Sequence, residues 1–170
     1  MTRNKKFLIA VLIPLLILIG LTIIPVKTML YGQEILLETR AVDPTDLFRG
    51  DYIIVSPKIS QIPKTKFPSM ELDNNKKIYV LLKQEGPYHV VDSIATTQPQ
   101  EGLYLEGRIP FYYFDSELVQ VDYSLDKYFI PQGSGKQLED ASFRGNLIAK
   151  VKVLDGYGLL TDIEIGTERT

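Results

Sequence analysis

A mostly β domain behind a single apolar N-terminal helix is the fold class that the sequence predicts, and three observations predict it. Phe7 to Val26 is a continuous run with no charged side chain. From Glu34 onward apolar and polar residues alternate over short stretches, the period of a half-buried strand. Those stretches are separated by Gly, Pro, Asn and Asp clusters at hairpin spacing. The expected architecture is an N-terminal transmembrane helix followed by a small β-barrel or sandwich-like domain with one or two short helices.

The apolar run has Thr22 as its one conventionally polar residue. At 1.5 Å of rise per residue it spans about 30 Å, the hydrocarbon thickness of a bilayer. A cleaved signal peptide would have a shorter apolar core and a small-residue cleavage site, whereas this run ends Ile23-Ile24-Pro25-Val26-Lys27. An uncleaved signal anchor over 7–26 is therefore expected, with the lipid bilayer as its partner and Pro25 marking its exit. Pro14 and Gly20 are tolerated inside it, because a membrane helix can re-satisfy the freed backbone groups locally. Arg3, Lys5 and Lys6 precede the run and only Lys27 follows closely. The positive-inside rule then places 1–6 in the cytoplasm, 27–33 as an extracytoplasmic linker and 34–166 as an extracytoplasmic domain of a single-pass cell-membrane protein.

Composition narrows the function. There is no cysteine, so no disulfide framework and no thiol chemistry. Taking Arg3, Lys5 and Lys6 from the 19 basic residues leaves 16 against 21 acidic ones, a formal −5 on the rest of the chain. The remaining Lys and Arg are scattered, which argues against a nucleic-acid partner.

Along the domain, Ile35, Leu37 and Ala41 share one side of a predicted strand from Glu34 to Val42. Asp43-Pro44 through Gly50 reads as a helical turn, with Asp43 as cap, Pro44 at its first position and Gly50 at its left-handed end. A strand over Asp51 to Ser56 follows. Pro57 to Lys77, with three prolines and five lysines, reads as a long, exposed and mobile connection. Ile78 to Lys83 and Tyr88 to Ile94 form a hairpin around Gln84-Glu85-Gly86-Pro87. Leu103, Leu105, Ile109 and Phe111 share a face of the next strand, where Gly107 marks a bulge or the close approach of another strand. Gly135 to Ala141 is expected to form a short helix. Leu147 to Val153 and Leu159 to Ile165 are two alternating strands joined at Asp155-Gly156, a strong two-residue hairpin signal.

Two stretches taken together carry a family likeness: Asp43-Pro44 followed by Arg49-Gly50-Asp51-Tyr52, and Tyr128-Phe129-Ile130-Pro131-Gln132-Gly133-Ser134-Gly135. Behind an N-terminal span, this order resembles the GDYXXLXY family of membrane-anchored bacterial proteins, from about Gln33 to Ile165. Val55 stands where the motif has Leu, Pro57 where it has its second Tyr, and Gln132 where members often carry Glu. The missing Tyr and carboxylate count against either being an indispensable catalytic group. The resemblance implies an envelope component that works beside a multi-pass membrane protein.

The chemistry-bearing patterns fail one by one. Ser69 follows the Arg-Gly-Asp element and sits among Lys64, Lys66, Lys76 and Lys77, an order and a setting that do not fit a Ser/Lys peptidase. Gly133-Ser134-Gly135-Lys136 lacks the flanking residues of a phosphate loop. His89 is the single histidine, too little for a zinc site without cysteine. Asp122, Asp126, Glu139 and Asp140 fit no calcium loop. No cofactor or metal is expected. Tyr104, Phe111, Tyr112, Tyr113, Phe114, Tyr123, Tyr128 and Phe129 suit a partner or ligand surface, although strands also recruit aromatics for packing. The leading reading is a non-enzymatic, membrane-anchored binding domain whose surface involves Asp43, Pro44, Arg49, Gly50, Asp51, Tyr52, Tyr128, Phe129, Pro131, Gly133 and Gly135. An envelope hydrolase of unfamiliar type and a small-ligand or peptide sensor are the alternatives.

Overall fold

The computed structural model describes residues 3–40, 52–67, 75–110, 117–129, 138, 141 and 144–166. The apolar run forms one helix, α1 (Arg3–Tyr31), with Pro14 and Pro25 inside it. Its stretch Ile9–Tyr31 is long and apolar enough to cross a bilayer, and its most apolar 18-residue window is not buried by the rest of the chain. The helix continues past Pro25 and through most of the expected linker, to Tyr31. Its last turn is held by tertiary contacts: Thr28 is fully buried, and Lys152 Nζ donates to the Met29 carbonyl at 2.6 Å. A cation on a helix C-terminal carbonyl is a favourable cap. Gly32 ends the helix where a Cβ would stand 2.4 Å from the Thr28 carbonyl oxygen and 3.2 Å from Lys152 Cβ.

Ten strands follow among the described residues. They are β1 (Gln33–Glu38), β2 (Tyr52–Ile54), β3 (Gln61–Pro63), β4 (Lys77–Glu85), β5 (Tyr88–Ala95), β6 (Tyr104–Arg108), β7 (Leu118–Gln120), β8 (Lys127–Phe129), β9 (Leu147–Leu154) and β10 (Tyr157–Ile165). Two three-stranded antiparallel sheets, β1-β9-β10 and β5-β4-β6, carry most of the core. They meet where β1 packs on β5 and β10 on β6. Ile35, Leu37, Ala149 and Val151 from the first sheet and Ile78, Val80 and Leu105 from the second are essentially inaccessible members of one cluster. The result is sandwich-like; the sheets do not close into a barrel among the described residues.

The two predicted hairpins are present. At the β9–β10 turn Asp155 and Gly156 have φ of 51° and 85°. Positive φ at both central residues is the type I′ requirement that selects Asp-Gly. Gly156 is further constrained, because its carbonyl accepts the Glu106 N–H at 2.8 Å and an added Cβ would lie 2.5 Å from Tyr104 Cε2. In β10 the expected unbroken alternation is corrected by a register shift between Leu160 and Asp162. That bulge changes the facing residues, so Leu160 and Ile163, opposite Val151 and Ala149, pack on the core in place of an unbroken Leu159, Thr161, Ile163 face.

Pro57 to Lys77 is not one exposed connection. Its first half holds two 3₁₀ turns, Lys58–Ser60 and Lys64–Lys66, around β3. Ile59 and Ile62 enter the core, and β3 pairs with β7. The apolar residues won over the lysines because each lysine keeps its head at the surface while Ile59 and Ile62 point inward. Residues 68–74 of that stretch lie outside the described residues, as do Ala41, Val42, the predicted turn 43–50 and 111–116. The predicted helix over 135–141 is described only at Leu138 and Ala141, both helical and packed on the core.

The chain from 117 to 129 stitches the structure together, a role that the sequence reading missed. Val119, Val121, Tyr123 and Leu125 are buried while the residues between them face out. Along this segment β7 pairs with β3, Asp122 exchanges two 2.8 Å backbone hydrogen bonds with Arg108, the Asp126 carbonyl accepts from Val55 N–H at 2.9 Å, and β8 pairs with β2. Gly107 marks the close approach that was one of its two expected meanings: a Cβ there would sit 2.5 Å from Val121 Cγ1 and 3.0 Å from Tyr123 Cε1.

Candidate functional site

The two sequence motifs meet. β2 and β8 form an antiparallel ladder with Tyr52 opposite Phe129, Ile53 opposite Tyr128 and Ile54 opposite Lys127. The β propensity of Tyr, Ile and Phe suits both short strands, and their pairing joins segments far apart in sequence. Asp43, Pro44, Arg49, Gly50 and Asp51 of the first motif and Pro131, Gly133 and Gly135 of the second lie outside the described residues.

The first-motif strand is fixed from both sides. Ile53 and Val55 are 1% and 2% exposed and belong to the core. Val55 therefore fills, with a smaller apolar side chain, the inward position that the motif reserves for Leu. Pro57, at the place of the motif's second Tyr, is buried and bridges Thr39 just beyond β1. On the same flank the Arg40 N–H donates to the Ser56 carbonyl at 2.8 Å, and an Arg40 guanidinium N–H donates to Ser56 Oγ at 2.7 Å. Thr39 Oγ1 donates to the Leu147 carbonyl at 2.8 Å in a buried setting. Both departures are thus absorbed by packing.

The second-motif strand presents chemistry outward. Tyr128 is half-buried, and its hydroxyl donates to Asp162 Oδ1 on β10 at 3.3 Å. Burial, followed by the charge of Asp162 and that hydrogen bond, pushes the Tyr128 pKa up. The phenol thus donates to the Asp162 carboxylate and helps to orient it. Lys127 and Phe129 face solvent, and the Phe129 ring is 75% exposed. On the Tyr128 side of the strand, Lys150 pairs with Glu164 and lies 3.9 Å from Asp162. An exposed aromatic ring at the end of a strand is a candidate anchor for a protein contact.

The rest of the aromatic set divides. Tyr104 and Tyr123 are buried; Tyr104 meets Tyr79 edge to face with centroids 5.8 Å apart, and Tyr123 donates to the Ile59 carbonyl at 3.0 Å. These two are core residues, so fewer of the aromatics reach the surface than the sequence suggested. Phe111 to Phe114 lie outside the described residues. His89 is half-buried on β5, burial lowers its pKa, and its Nδ1 makes no hydrogen bond among the described residues. No group of three or more His, Asp or Glu side chains that could hold a metal occurs among the described residues.

With that geometry in view, comparison with known proteins gives one match. The sequence model of the GDYXXLXY proteins matches residues 14–163 and so covers the apolar helix from Pro14 as well as the β domain. No curated protein and no solved structure matches the chain.

Proposed function

Since the chain belongs to the GDYXXLXY protein family, we propose that it is a single-span envelope protein whose β domain is a non-enzymatic accessory subunit, binding a membrane-protein partner through the Phe129 face of the β2–β8 ladder. The observation that carries the membrane part is α1. Large apolar side chains at Phe7 and from Ile9 to Leu30 project from every side of it, each 44% to 72% exposed. Leaving such side chains in water costs about 1.5–3 kcal/mol apiece, so lipid is the medium that fits. Docking of Thr28 and Met29 onto β9 supports an uncleaved anchor, because cleavage at the C-terminal end of the helix would strip a fully buried residue from the domain. The excess of basic residues before the helix supports a cytoplasmic N-terminus and an extracytoplasmic domain.

Partner binding rests on the ladder itself. It brings the family's two motif segments together and leaves at its end an exposed aromatic ring, the kind of anchor that dominates protein interfaces. A photo-reactive phenylalanine at position 129, in cells expressing the full chain, is expected to give one dominant membrane-protein adduct. Phe129→Ala is expected to weaken capture of that protein by about thirtyfold, the loss of a typical aromatic anchor, with stability unchanged within about 0.5 kcal/mol. Efficient probe incorporation without a reproducible adduct would end the partner-binding reading.

A further inference from the structure

A cleft of about 560 Å³ lies where α1 leaves the apolar stretch and meets the β domain, lined by Ile24, Lys27 and Thr28 from the helix and by Arg108, Asp122 and the β9–β10 turn from the domain. Its height is set by the helix. On the membrane-anchored reading, a rise of 1.5 Å per residue from Phe7 brings the bilayer surface to about Lys27, which sets the floor at Ile24 against acyl chains and the upper wall among headgroups.

The charges of the cleft are of both signs. Glu106 is held by Lys77 at 2.8 Å, and Asp155 faces Lys27 at 3.7 Å. Arg108 and Asp122 remain, one cation and one anion, neither of them ion-paired among the described residues. They sit directly opposite each other, joined by two backbone hydrogen bonds, which puts their side chains on the same face of the ladder. A second observation concerns Thr28. Its hydroxyl is fully buried at the cleft wall and has no hydrogen-bond partner among the described residues. Unpaired buried hydroxyls are rare because each forfeits hydration without compensation.

We infer that this cleft seats the headgroup of a zwitterionic phospholipid bearing a primary ammonium, a phosphoethanolamine lipid of the leaflet into which α1 emerges. This rests on the membrane-anchored reading above. The Arg108 guanidinium matches the phosphate, which it can bind through two parallel N–H bonds. The Asp122 carboxylate accepts from the ammonium, with one of its oxygens already oriented by the Ser124 N–H at 2.7 Å. A lipid carrying only negative charge would set its headgroup against Glu106, Asp122 and Asp155, so the cleft selects against it.

The test uses the full chain in detergent micelles, titrated with phosphatidylethanolamine or phosphatidylglycerol of identical acyl chains, with bound lipid counted by native mass spectrometry. Phosphatidylethanolamine is expected to bind about tenfold more tightly, the worth of one charge-assisted hydrogen bond. Arg108→Gln is expected to weaken it about tenfold, and Asp122→Asn to abolish the preference between the two lipids. Both sites are exposed, and circular dichroism checks each variant's fold; the wild-type lipid ratio decides even where a variant fails that check. Equal binding of the two lipids, or variants of wild-type behaviour, would overturn the inference. Glycerophosphoethanolamine binding as tightly as the lipid would reassign the cleft to a soluble ligand. Carbonate extraction separates the two readings: a chain released from membranes refutes the anchor and the lipid seat together, whereas a retained chain without lipid preference refutes the seat alone.

Discussion

Replacing Tyr123 by Phe removes one oxygen atom from the centre of the seam between the two sheets, and its effect should depend on pH in a calculable way. The hydroxyl is buried with its side chain and donates to the Ile59 carbonyl at 3.0 Å. Below pH 9 the substitution leaves that carbonyl without its tyrosine donor, a loss of about 1–2 kcal/mol. Burial pushes the Tyr123 pKa far above its ordinary value. A group whose pKa is raised on folding contributes stability that is complete below its unfolded pKa, about 10, and is lost as pH rises above it, because only the unfolded chain then releases the proton. One unit above that value the loss is RT ln(1 + 10), about 1.4 kcal/mol. Phe has no proton to lose, so the stability gap between wild type and Tyr123→Phe should shrink from about 1–2 kcal/mol at pH 8 to near zero at pH 11. Urea unfolding of the full chain in detergent, followed by the β signal in circular dichroism across that range, measures the gap. Every other tyrosine and lysine is common to both proteins and cancels in the difference. A gap that stays constant with pH would refute the burial of this hydroxyl.

Other substitutions probe the elements that carry the site. Ile53→Ala, in the first-motif strand, should destabilise the domain by about 2–5 kcal/mol, and Ile53→Val by about 0.5–1.5 kcal/mol, in the same unfolding assay; equal effects would argue against its place in the core. Gly156→Ala combines a φ of 85° with a Cβ 2.5 Å from Tyr104. It should cost about 2 kcal/mol or more, whereas Gly86→Ala, with φ of 61° and open space around it, should cost about 1 kcal/mol from backbone strain alone.

Much of the architecture was legible from local rules. The apolar run had one physical solution. Leu147 to Ile165 announced its hairpin through alternation around Asp155-Gly156, and the family motifs identified the segments that β2 and β8 join. What escaped was decided by long-range contacts. Pro25 does not end the helix, because Lys152, far along the chain, caps a turn beyond it. Pro57 to Phe67 looked like solvated loop on its prolines and lysines, yet Ile59 and Ile62 are drawn inward by the seam. Even that seam carried a signal, the alternation of Val119, Val121, Tyr123 and Leu125, obscured by the charged and polar residues set between them.

The sequence by itself determined the elements whose cause is local: a long helix with no charged side chain from Phe7 to Val26, strands of period two, and a turn that needs positive φ at Asp155 and Gly156. Only the tertiary structure decided that Tyr52 lies opposite Phe129, that Tyr104 and Tyr123 are core while Phe129 is surface, and that Arg108, Asp122 and Thr28 converge beneath the helix end. Strand order and register depend on which apolar faces bury each other, a choice made by the whole chain at once. No spacing within a single segment encodes it.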